Sequence, residues 1–273
     1  MIGIFDSGFG GLTVLRPIHE RLPQLSTIYL GDNARAPYGT RSHEEIFQFA
    51  LEGVRELFHR GCPLVIFACN SASAQALRQI QRTILPAEFP DHRVLGVIRP
   101  TAEELASMSA SGHVGILATP ATVQSDAYVH ELHHVRPDLH VSQVACPGRF
   151  TILIEQGADE SDEADAIATS CSAKLMARDP FIDTVLLGCT HYPLVERLFR
   201  AHLPSSVAII TQGAIVADKL ADYLARHPDL ASRIDDAGAR QYLTTKNDEG
   251  LSSLASRFYG APLRFERVEL DHS

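Results

Sequence analysis

The stretch Leu64-Val65-Ile66-Phe67-Ala68-Cys69-Asn70-Ser71 places a cysteine and two polar residues directly after an apolar run. The same order recurs at Val185-Leu186-Leu187-Gly188-Cys189-Thr190-His191. An apolar run of this length, rich in β-branched and aliphatic residues, is typical of a strand buried on both faces. Open α/β sheets bind their ligands beyond the carboxyl ends of such strands. We therefore expect Cys69 and Cys189 at the ligand-binding edge of a parallel sheet.

Apolar runs alternate with amphipathic stretches along the chain, which predicts an α/β fold with mainly parallel sheets and helices on both faces. The predicted strands are residues 2–5, 27–30, 64–68, 94–97, 114–118, 140–145, 184–187, 207–210, 240–245 and 263–268. The predicted helices are residues 43–59, 71–84, 100–109, 122–135, 164–178, 214–226 and 248–259, with a further helix starting near Gly10. No long linker interrupts the pattern, so short crossings should join any two domains.

An internal similarity extends beyond the two cysteines. Gly3-Ile4-Phe5-Asp6-Ser7 resembles Gly115-Ile116-Leu117-Ala118-Thr119 in its apolar pattern and its final hydroxyl residue. The two segments are 112 residues apart, and Cys69 and Cys189 are 120 apart. These similar offsets indicate one duplicated α/β unit, which would bring both cysteines to a shared cleft. Chance similarity between short apolar strands is the alternative.

Bulk properties favour a soluble enzyme. A chain of 273 residues suits about two domains. The net charge of −9 argues against a general nucleic-acid binder. No apolar run approaches the roughly 20 residues that span a bilayer, and the first residues lack a signal-peptide pattern. We therefore expect no membrane partner and a cytoplasmic protein whose five cysteines are all free thiols.

A pair of opposed cysteines suits the inversion of a carbon centre. The pKa of a thiol lies close enough to physiological pH for one cysteine to act as a thiolate base and the other as a thiol acid. One would remove a proton from one face of a carbon while the other delivers a proton to the opposite face. A buried cysteine is more often an inert apolar residue. The polar residues that follow both Cys69 and Cys189 favour the catalytic interpretation.

Asp6 and His191 are the candidate assistants of the two thiols. Asp6 opens the glycine-rich turn Asp6-Ser7-Gly8-Phe9-Gly10-Gly11, and His191 follows Cys189 by two residues. Asp6 could instead cap the following helix, and His191 could merely shape its turn. The glycine-rich turn lacks the pattern of a P-loop or of a dinucleotide site. Because backbone N–H groups at a helix start bind anions, we interpret it as a loop that binds substrate.

The ordered motifs of this chain resemble those of glutamate racemases in the aspartate/glutamate racemase superfamily, over nearly the whole length. The motifs that carry the resemblance are the glycine-rich turn, Gly31-Asp32-Asn33-Ala34-Arg35-Ala36-Pro37-Tyr38-Gly39, Ala68-Cys69-Asn70-Ser71-Ala72-Ser73-Ala74, Gly96-Val97-Ile98, and Leu187-Gly188-Cys189-Thr190-His191-Tyr192-Pro193. The resemblance implies two pseudo-symmetric α/β domains with the active site in the cleft between them. We expect one domain to comprise residues 1–94 and 210–273, and the other residues 95–209.

The resemblance also implies a reaction and a site. The reaction is the interconversion of L- and D-glutamate without a cofactor or metal, by a homodimer that supplies D-glutamate for peptidoglycan. By position, Cys69 resembles the base that deprotonates D-glutamate and Cys189 the base that deprotonates L-glutamate, with Asp6 and His191 as auxiliary acid–base groups. The implied substrate-binding residues are Asp6, Ser7, Tyr38, Gly39, Asn70, Ser71, Thr119, Thr122, Thr190 and His191, with Glu155 near the substrate ammonium.

Several residues depart from the family pattern or have a simpler explanation. Ser71 stands where the family usually has Thr, and Thr211-Gln212-Gly213 replaces the more usual Asp-Ser-Gly. We interpret Cys62, Cys146 and Cys171 as core residues. The spacing of His130-Glu131-Leu132-His133-His134 could chelate a metal, but a solvated helix face explains it better.

Three classes of function fit these observations. The first, which we prefer, is the two-thiol glutamate racemase. The second is a related enzyme, either a racemase acting on aspartate or another acid, or a single-thiol decarboxylase; the presence of Cys189 argues against the decarboxylase. The third is a non-enzymatic protein that binds an acidic ligand, for which both cysteine-containing turns would have to be relics.

Overall fold

The protein contains two parallel β-sheets flanked by helices. The structure, a computed structural model, describes residues 1–246 and 250–270. Its strands are β1 (Ile2–Asp6), β2 (Thr27–Gly31), β3 (Leu64–Phe67), β4 (Arg93–Gly96), β5 (His113–Ala118), β6 (His140–Ala145), β7 (Thr184–Gly188), β8 (Ala208–Ile210), β9 (Arg240–Thr244) and β10 (Glu266–Arg267). Every strand pair within the described residues is parallel. The α/β fold class is confirmed.

Helices cover both sheets. They are α1 (Leu12–Arg21), α2 (His43–His59), α3 (Asn70–Gln75), α4 (Leu77–Gln79), α5 (Leu85–Glu88), α6 (Ile98–Met108), α7 (Pro120–Gln124), α8 (Ala127–Val135), α9 (Gly148–Glu155), α10 (Asp162–Arg178), α11 (Glu196–His202), α12 (Gly213–Arg226), α13 (Pro228–Ala231) and α14 (Leu251–Tyr259). Two 3₁₀ turns span Tyr38–Thr40 and Tyr192–Val195, and a π-turn spans Ile80–Ile84. Within the described residues, none of these helices is long and apolar enough to cross a membrane.

The two sheets share one strand order. The first runs β10-β9-β2-β1-β3-β4 and the second runs β6-β5-β7-β8. Strands β2-β1-β3-β4 therefore correspond in order to β6-β5-β7-β8. The register agrees, because Phe67 pairs with Phe5 and Leu187 pairs with Leu117. Cys69 and Cys189 each follow these paired residues by two positions, so the two thiols occupy equivalent places in the two halves.

Side-chain packing repeats the same correspondence. A methyl group on Gly3 would lie 3.0 Å from Leu57 on α2, and one on Gly115 would lie 2.7 Å from Leu175 on α10. In both halves a glycine on the central strand therefore lets a leucine of the covering helix approach the sheet. Shared strand order, register and packing support the duplicated-unit interpretation over chance similarity.

The chain crosses between the sheets at two places. It leaves the first sheet after β4 and enters α6, which packs against α8 beside the second sheet. It returns after β8 through Thr211 and Gln212 into α12, which packs against α1 beside the first sheet. Both crossings are short. The proposed domain limits of 1–94 with 210–273 and 95–209 stay a prediction.

The central strands form the core of each half. Every residue of β1, β2, β3 and β7 is buried, which explains their continuous apolar sequences. Each large apolar side chain that is fully buried contributes about 1.5–3 kcal/mol to the free energy of unfolding. The edge strand β6 is mostly part-exposed and correspondingly more polar. The sheets therefore provide rigid supports for the turns at their carboxyl ends.

Four predicted elements differ from the structure. The helix predicted over 71–84 is divided into α3, α4 and a π-turn, which α5 follows. Pro86 in the first turn of α5 has no N–H to donate to the preceding turn, which accounts for the irregular hydrogen bonding there. Asp126, with a left-handed φ of 52°, separates α7 from α8 within the helix predicted over 122–135. The strand predicted over 263–268 is reduced to β10. The helix predicted over 248–259 begins at Leu251; residues 248 and 249 of that prediction lie outside the described residues.

The expectation that all five cysteines are free thiols is wrong. Cys146, at the end of β6, forms a disulfide with Cys171 on α10, with 5.8 Å between their Cα atoms. Both are buried, as the core interpretation expected, and their distance of 25 residues in sequence gave no sign of the pairing. Cys62, Cys69 and Cys189 are free and buried.

Candidate active site

The strand-end turns of both sheets enclose one small cavity. Its volume is about 20 Å³, close to the space that one water molecule needs. The residues that line it are Ser7, Pro37, Tyr38, Gly39, Cys69, Asn70, Ser71, Thr119, Thr151, Cys189, Thr190 and His191. Both sequence-predicted thiols therefore face a common space, with groups from both sheets around it.

Cys69 lies at the start of α3 in a polar but desolvated setting. Its thiol lies 3.5 Å from the Ser7 hydroxyl oxygen, and the Ala72 N–H donates to its Sγ at 3.4 Å. Burial, reinforced by the negative charge of Asp6, raises the pKa of the Cys69 thiol to about 12. Cys69 is therefore protonated near neutral pH, which is the form that can donate a proton.

Cys189 has an imidazole partner instead of a hydroxyl. The Nδ1 atom of His191 lies 3.8 Å from the Cys189 Sγ, and its Nε2 donates to Glu155 Oε1 at 2.9 Å. Burial alone would lower the pKa of His191, but the contacts with Cys189 and Glu155 outweigh it and hold that pKa well above its ordinary value. A protonated imidazole beside a sulfur is the arrangement that supports a thiolate. The two thiols are thus held in unlike environments.

Asp6 connects the two halves but is not among the residues that line the cavity. Its carboxylate accepts the Gly8 N–H at 3.0 Å and the Thr190 hydroxyl at 3.4 Å. Burial raises the pKa of Asp6, while His191 and backbone N–H groups oppose that shift. Asp6 is not the residue directly before α1, which begins at Leu12 after Gly11, but backbone N–H groups of Gly8 and Gly11 at that helix start bond its carboxylate, so a capping role stays compatible with this geometry. Asp6 also holds the glycine-rich turn against the residue that follows Cys189.

Gly10 permits the close contact between this turn and the second sheet. A methyl group at its Cα would lie 2.3 Å from Thr190 Oγ1 and 2.6 Å from His191 Nδ1. These separations are shorter than van der Waals contact, so a larger residue would displace the turn that carries Cys189. The glycine therefore sets how closely the two strand-end turns approach.

A row of buried hydroxyl groups also borders the cavity. Ser71 and Thr119 lie 3.0 Å apart through their hydroxyl oxygens, and Thr119 and Thr122 lie 3.1 Å apart. Ser71 and Thr119 line the cavity, whereas Thr122 supports Thr119 from behind. Tyr38 and Gly39 form another part of the cavity wall. The Tyr38 hydroxyl donates to Asp32.

Two predicted site residues act differently from the simplest expectation. Asn70 borders the cavity, but its side-chain amide pairs with Gln212 and Tyr128. Glu155 contacts the cavity only through His191. Thr151, which the sequence analysis missed, also lines the cavity. It lies on α9 four residues before Glu155, hence on the same helix face, and recognition of α9 would have been the signal to find it.

Other parts of the molecule offer no second reactive centre among the described residues. No group of three or more His, Cys, Asp and Glu side chains there could hold a metal ion. In the histidine-rich segment of α8, His133 lies 3.2 Å from the carbonyl oxygen of Leu139. A larger cavity of about 730 Å³ is lined by Arg78, Arg99 and Lys219 among others, but by none of the cysteines.

Comparison with known proteins identifies the family. A model of the Asp/Glu/Hydantoin racemase family matches residues 2–220. The chain belongs to the Asp/Glu/hydantoin racemase family. It is 42% identical to a glutamate racemase of Paracoccus denitrificans, over 97% of this chain and 98% of the relative. It is 41% identical to a glutamate racemase of Ruegeria pomeroyi, again over 97% of this chain and 98% of the relative.

Solved structures of glutamate racemases are also similar to this chain over nearly its whole length. Glutamate racemase from Bacillus anthracis has a TM-score of 0.88 and 32% identity, covering 99% of this chain and 97% of that chain. The racemase from Francisella tularensis, in complex with D-glutamate, has a TM-score of 0.87 and 29% identity, covering 100% and 98%. The two-domain architecture expected from the resemblance is confirmed.

Proposed function

We propose that this chain interconverts L- and D-glutamate, with Cys69 and Cys189 as the two acid–base groups. The observation that carries the proposal is the placement of both thiols at equivalent strand ends around one cavity, in unlike electrostatic settings. The similarity to proteins named glutamate racemase, one of them solved with D-glutamate, supports glutamate as the substrate.

The geometry suggests a direction for the first proton transfer. With the Cys189 thiolate paired to the His191 imidazolium and Cys69 protonated, Cys189 removes the α-proton of L-glutamate. The C–H electron pair stays on the α-carbon until the Cys69 thiol delivers a proton to the opposite face. One C–H bond is broken and one is formed, so D-glutamate leaves without net oxidation or reduction. The enzyme is then ready for the reverse reaction, with the roles of the thiols exchanged.

The surrounding groups stabilise the charge that develops on the substrate. Hydroxyls of Ser7, Ser71 and Thr119 border the cavity and are suited to the carboxylate groups of glutamate. Desolvation strengthens each of these contacts, because few water dipoles compete inside so small a space. Asp6, His191 and Glu155 then maintain the protonation states of the thiols.

A face-specific exchange experiment tests this assignment. Racemisation is followed by circular dichroism in deuterium oxide with reductant and no added cofactor, and α-deuteration of each enantiomer is measured. We expect the wild type to racemise and deuterate glutamate, and to act on aspartate at a much lower rate. Cys69→Ala and Cys189→Ala should each lose racemisation by about 10³-fold or more. Cys69→Ala should still exchange the α-proton of L-glutamate only, and Cys189→Ala that of D-glutamate only.

The outcomes separate the alternatives. Glutamate bound without either signal would favour an acidic-ligand binding protein, and faster turnover of aspartate would make the chain an aspartate racemase. Full racemisation by either single-thiol variant would overturn the two-base mechanism. A matched control is Cys62→Ala, because Cys62 is free and buried but lies outside the cavity lining; we expect it to retain activity.

We also propose the cellular setting that the family resemblance suggests. The chain would act in the cytoplasm as a homodimer and supply D-glutamate for peptidoglycan synthesis. A reducing compartment suits two catalytic thiols, and the Cys146–Cys171 disulfide is buried away from soluble reductants. Analytical ultracentrifugation of the purified chain tests the dimer, and a monomer at micromolar concentration would contradict it.

A further inference from the structure

A buried polar cluster lies beside the catalytic cavity and joins helices from both halves. Its members are Asn70 on α3, Thr101 on α6, Tyr128 on α8 and Gln212 at the start of α12, all at most 3% exposed. Cys69 directly precedes Asn70, and Gln212 lies at the second crossing between the sheets. The cluster therefore connects the turn of one thiol to the chain segment that joins the two halves.

The centre of the cluster is a reciprocal amide pair. The Asn70 Nδ2 donates to Gln212 Oε1 at 2.6 Å, and the Gln212 Nε2 donates to Asn70 Oδ1 at 2.9 Å. The Tyr128 hydroxyl donates to Asn70 Oδ1 at 2.7 Å and lies 2.6 Å from Gln212 Nε2. Only a side chain with both a donor and an acceptor at this reach can pair with both polar atoms of the Asn70 amide at once.

This pair fixes the conformation of the Cys69 turn. Asn70 is the first residue of α3, and the N–H that contacts the Cys69 sulfur belongs to Ala72 in the same helical turn. Without Gln212, the Asn70 Oδ1 would keep the Tyr128 hydroxyl, but the buried Asn70 Nδ2 would lose its acceptor, which favours a shift of the turn. The sulfur of Cys69 would move with it.

Resting on the proposed function, we propose that Gln212 is a positioning residue for Cys69. It acts through Asn70, and it acts on one thiol only. The hydrogen bonds of the Cys189 turn reach Asp6, Thr13 and Glu155 through Thr190 and His191, and none of these is a member of the Asn70 cluster. Tyr128 is an electrostatic neighbour of Cys189, but its hydroxyl is hydrogen-bonded to Asn70 and Gln212. The contribution of Gln212 is therefore specific to one face of the substrate, although its own side chain lines no part of the cavity.

Gln212→Met tests the proposal, because methionine keeps the length of glutamine and removes both hydrogen-bonding atoms. In the Cys189→Ala background, which isolates Cys69, we expect the rate of deuterium exchange into D-glutamate to fall about tenfold to a hundredfold. In the Cys69→Ala background, exchange into L-glutamate should change by less than about threefold. With both thiols present, Gln212→Met should lower kcat more than it raises KM.

Two further variants keep the result interpretable. Tyr128→Phe is the substitute if Gln212→Met fails to fold. It removes one hydroxyl from the same cluster and should lower the rate of exchange into D-glutamate by a smaller factor than Gln212→Met. Gln24→Met changes an exposed glutamine and should leave both exchange rates unchanged. Equal loss at both thiols, or loss at neither, in folded protein would overturn the positioning role. Failure of the proposed function would appear earlier, as absent exchange in single-thiol variants that retain Gln212.

Discussion

Cys69 and Cys189 have unlike partners, so the proposed reaction can start with the two thiols in opposite protonation states. Cys69 has a hydroxyl and a backbone N–H beside it, and Cys189 has an imidazole held by a carboxylate. Burial keeps the proton on Cys69, whereas the contacts with Cys189 and Glu155 hold the pKa of His191 well above its ordinary value. The asymmetry comes from residues next to the thiols, not from the strands that carry them.

Glu155→Gln should move the alkaline limb of the pH–rate profile to lower pH. The variant keeps the length of the side chain and an acceptor for His191 but removes the negative charge. An imidazole with a raised pKa stays charged up to higher pH, so loss of Glu155 lowers that pKa and the imidazolium is lost sooner as pH rises. We expect kcat/KM at mildly alkaline pH to fall about tenfold.

A matched control is Glu160→Gln. Glu160 is exposed and its partner is Arg197 at 3.3 Å, far from the thiols in the hydrogen-bond network. Its profile should superimpose on that of the wild type. If Glu155→Gln also gave an unchanged profile, the carboxylate would have no part in controlling the charge of His191.

At the scale of elements, the strand-end turns depend on glycine to meet. The turn between β1 and α1 contacts the turn after β7 at Gly10, where a methyl group would overlap Thr190 and His191. Thr13 adds a hydrogen bond from its hydroxyl to the Thr190 carbonyl at 2.9 Å. The position of Cys189 is therefore determined partly by a helix start from the other half.

Gly10→Ala should reduce both activity and stability. Displacement of the Thr190–His191 turn moves the Cys189 partner, so we expect kcat/KM to fall about 100-fold. The cost in the free energy of unfolding should be about 1–3 kcal/mol. Gly61→Ala is the contrasting variant. The φ of +84° at Gly61 is strained for alanine, but no neighbouring atom would lie within 4 Å of the added methyl group. It should cost about 1 kcal/mol and leave kcat/KM unchanged; an equal loss of activity would contradict the contact argument.

The elements that sequence could predict are those determined by local pattern. Strands β1, β3, β5 and β7 were predicted within one or two residues because they are continuously apolar, and the helix over 43–59 was predicted from its amphipathic pattern. The structure adds a capping box at its start. Helix α9 was missed because its pattern is short, and with it Thr151 was lost from the predicted site.

Long-range partners explain the remaining differences. Asn70 stays a predicted substrate-binding residue at the cavity, but no local pattern indicated its side-chain partner Gln212, which lies 142 residues away in sequence. The Cys146–Cys171 disulfide likewise follows from the packing of β6 against α10, which no local spacing indicates. Local patterns predicted which residues gather at the strand ends. They could not predict which of those side chains turn towards the core.

At the scale of the whole molecule, the two halves leave only a small cavity between their strand-end turns. The cavity has room for about one water molecule, which is far less than glutamate occupies. For the proposed substrate to enter, we expect the turns of the two sheets to separate. The polar contacts between these turns include Ser71 with Thr119 and Thr190 with Asp6, and an apolar cluster with buried members from both halves packs behind them.

Thiol labelling should report this opening. Cys62, Cys69 and Cys189 are buried, so a bulky aromatic disulfide reagent reaches the last two only when the halves separate. D-Glutamate at about ten times its Kd should slow labelling of Cys69 and Cys189 by about tenfold. Labelling of Cys62 serves as the internal control and should not change. Equal protection of all three thiols, measured by peptide mass spectrometry, would indicate general stabilisation instead of cleft closure.

The two chain crossings limit how the halves can move. Thr101 donates to the carbonyl of Val97 at the first crossing, at 2.6 Å, and lies 3.5 Å from the Gln212 side chain at the second. Because both crossings lie side by side, we expect them to act as a single pivot about which the halves tilt without sliding past each other. Each closure would then return the two sulfur atoms to the same separation, which the proposed reaction at both faces of one carbon requires.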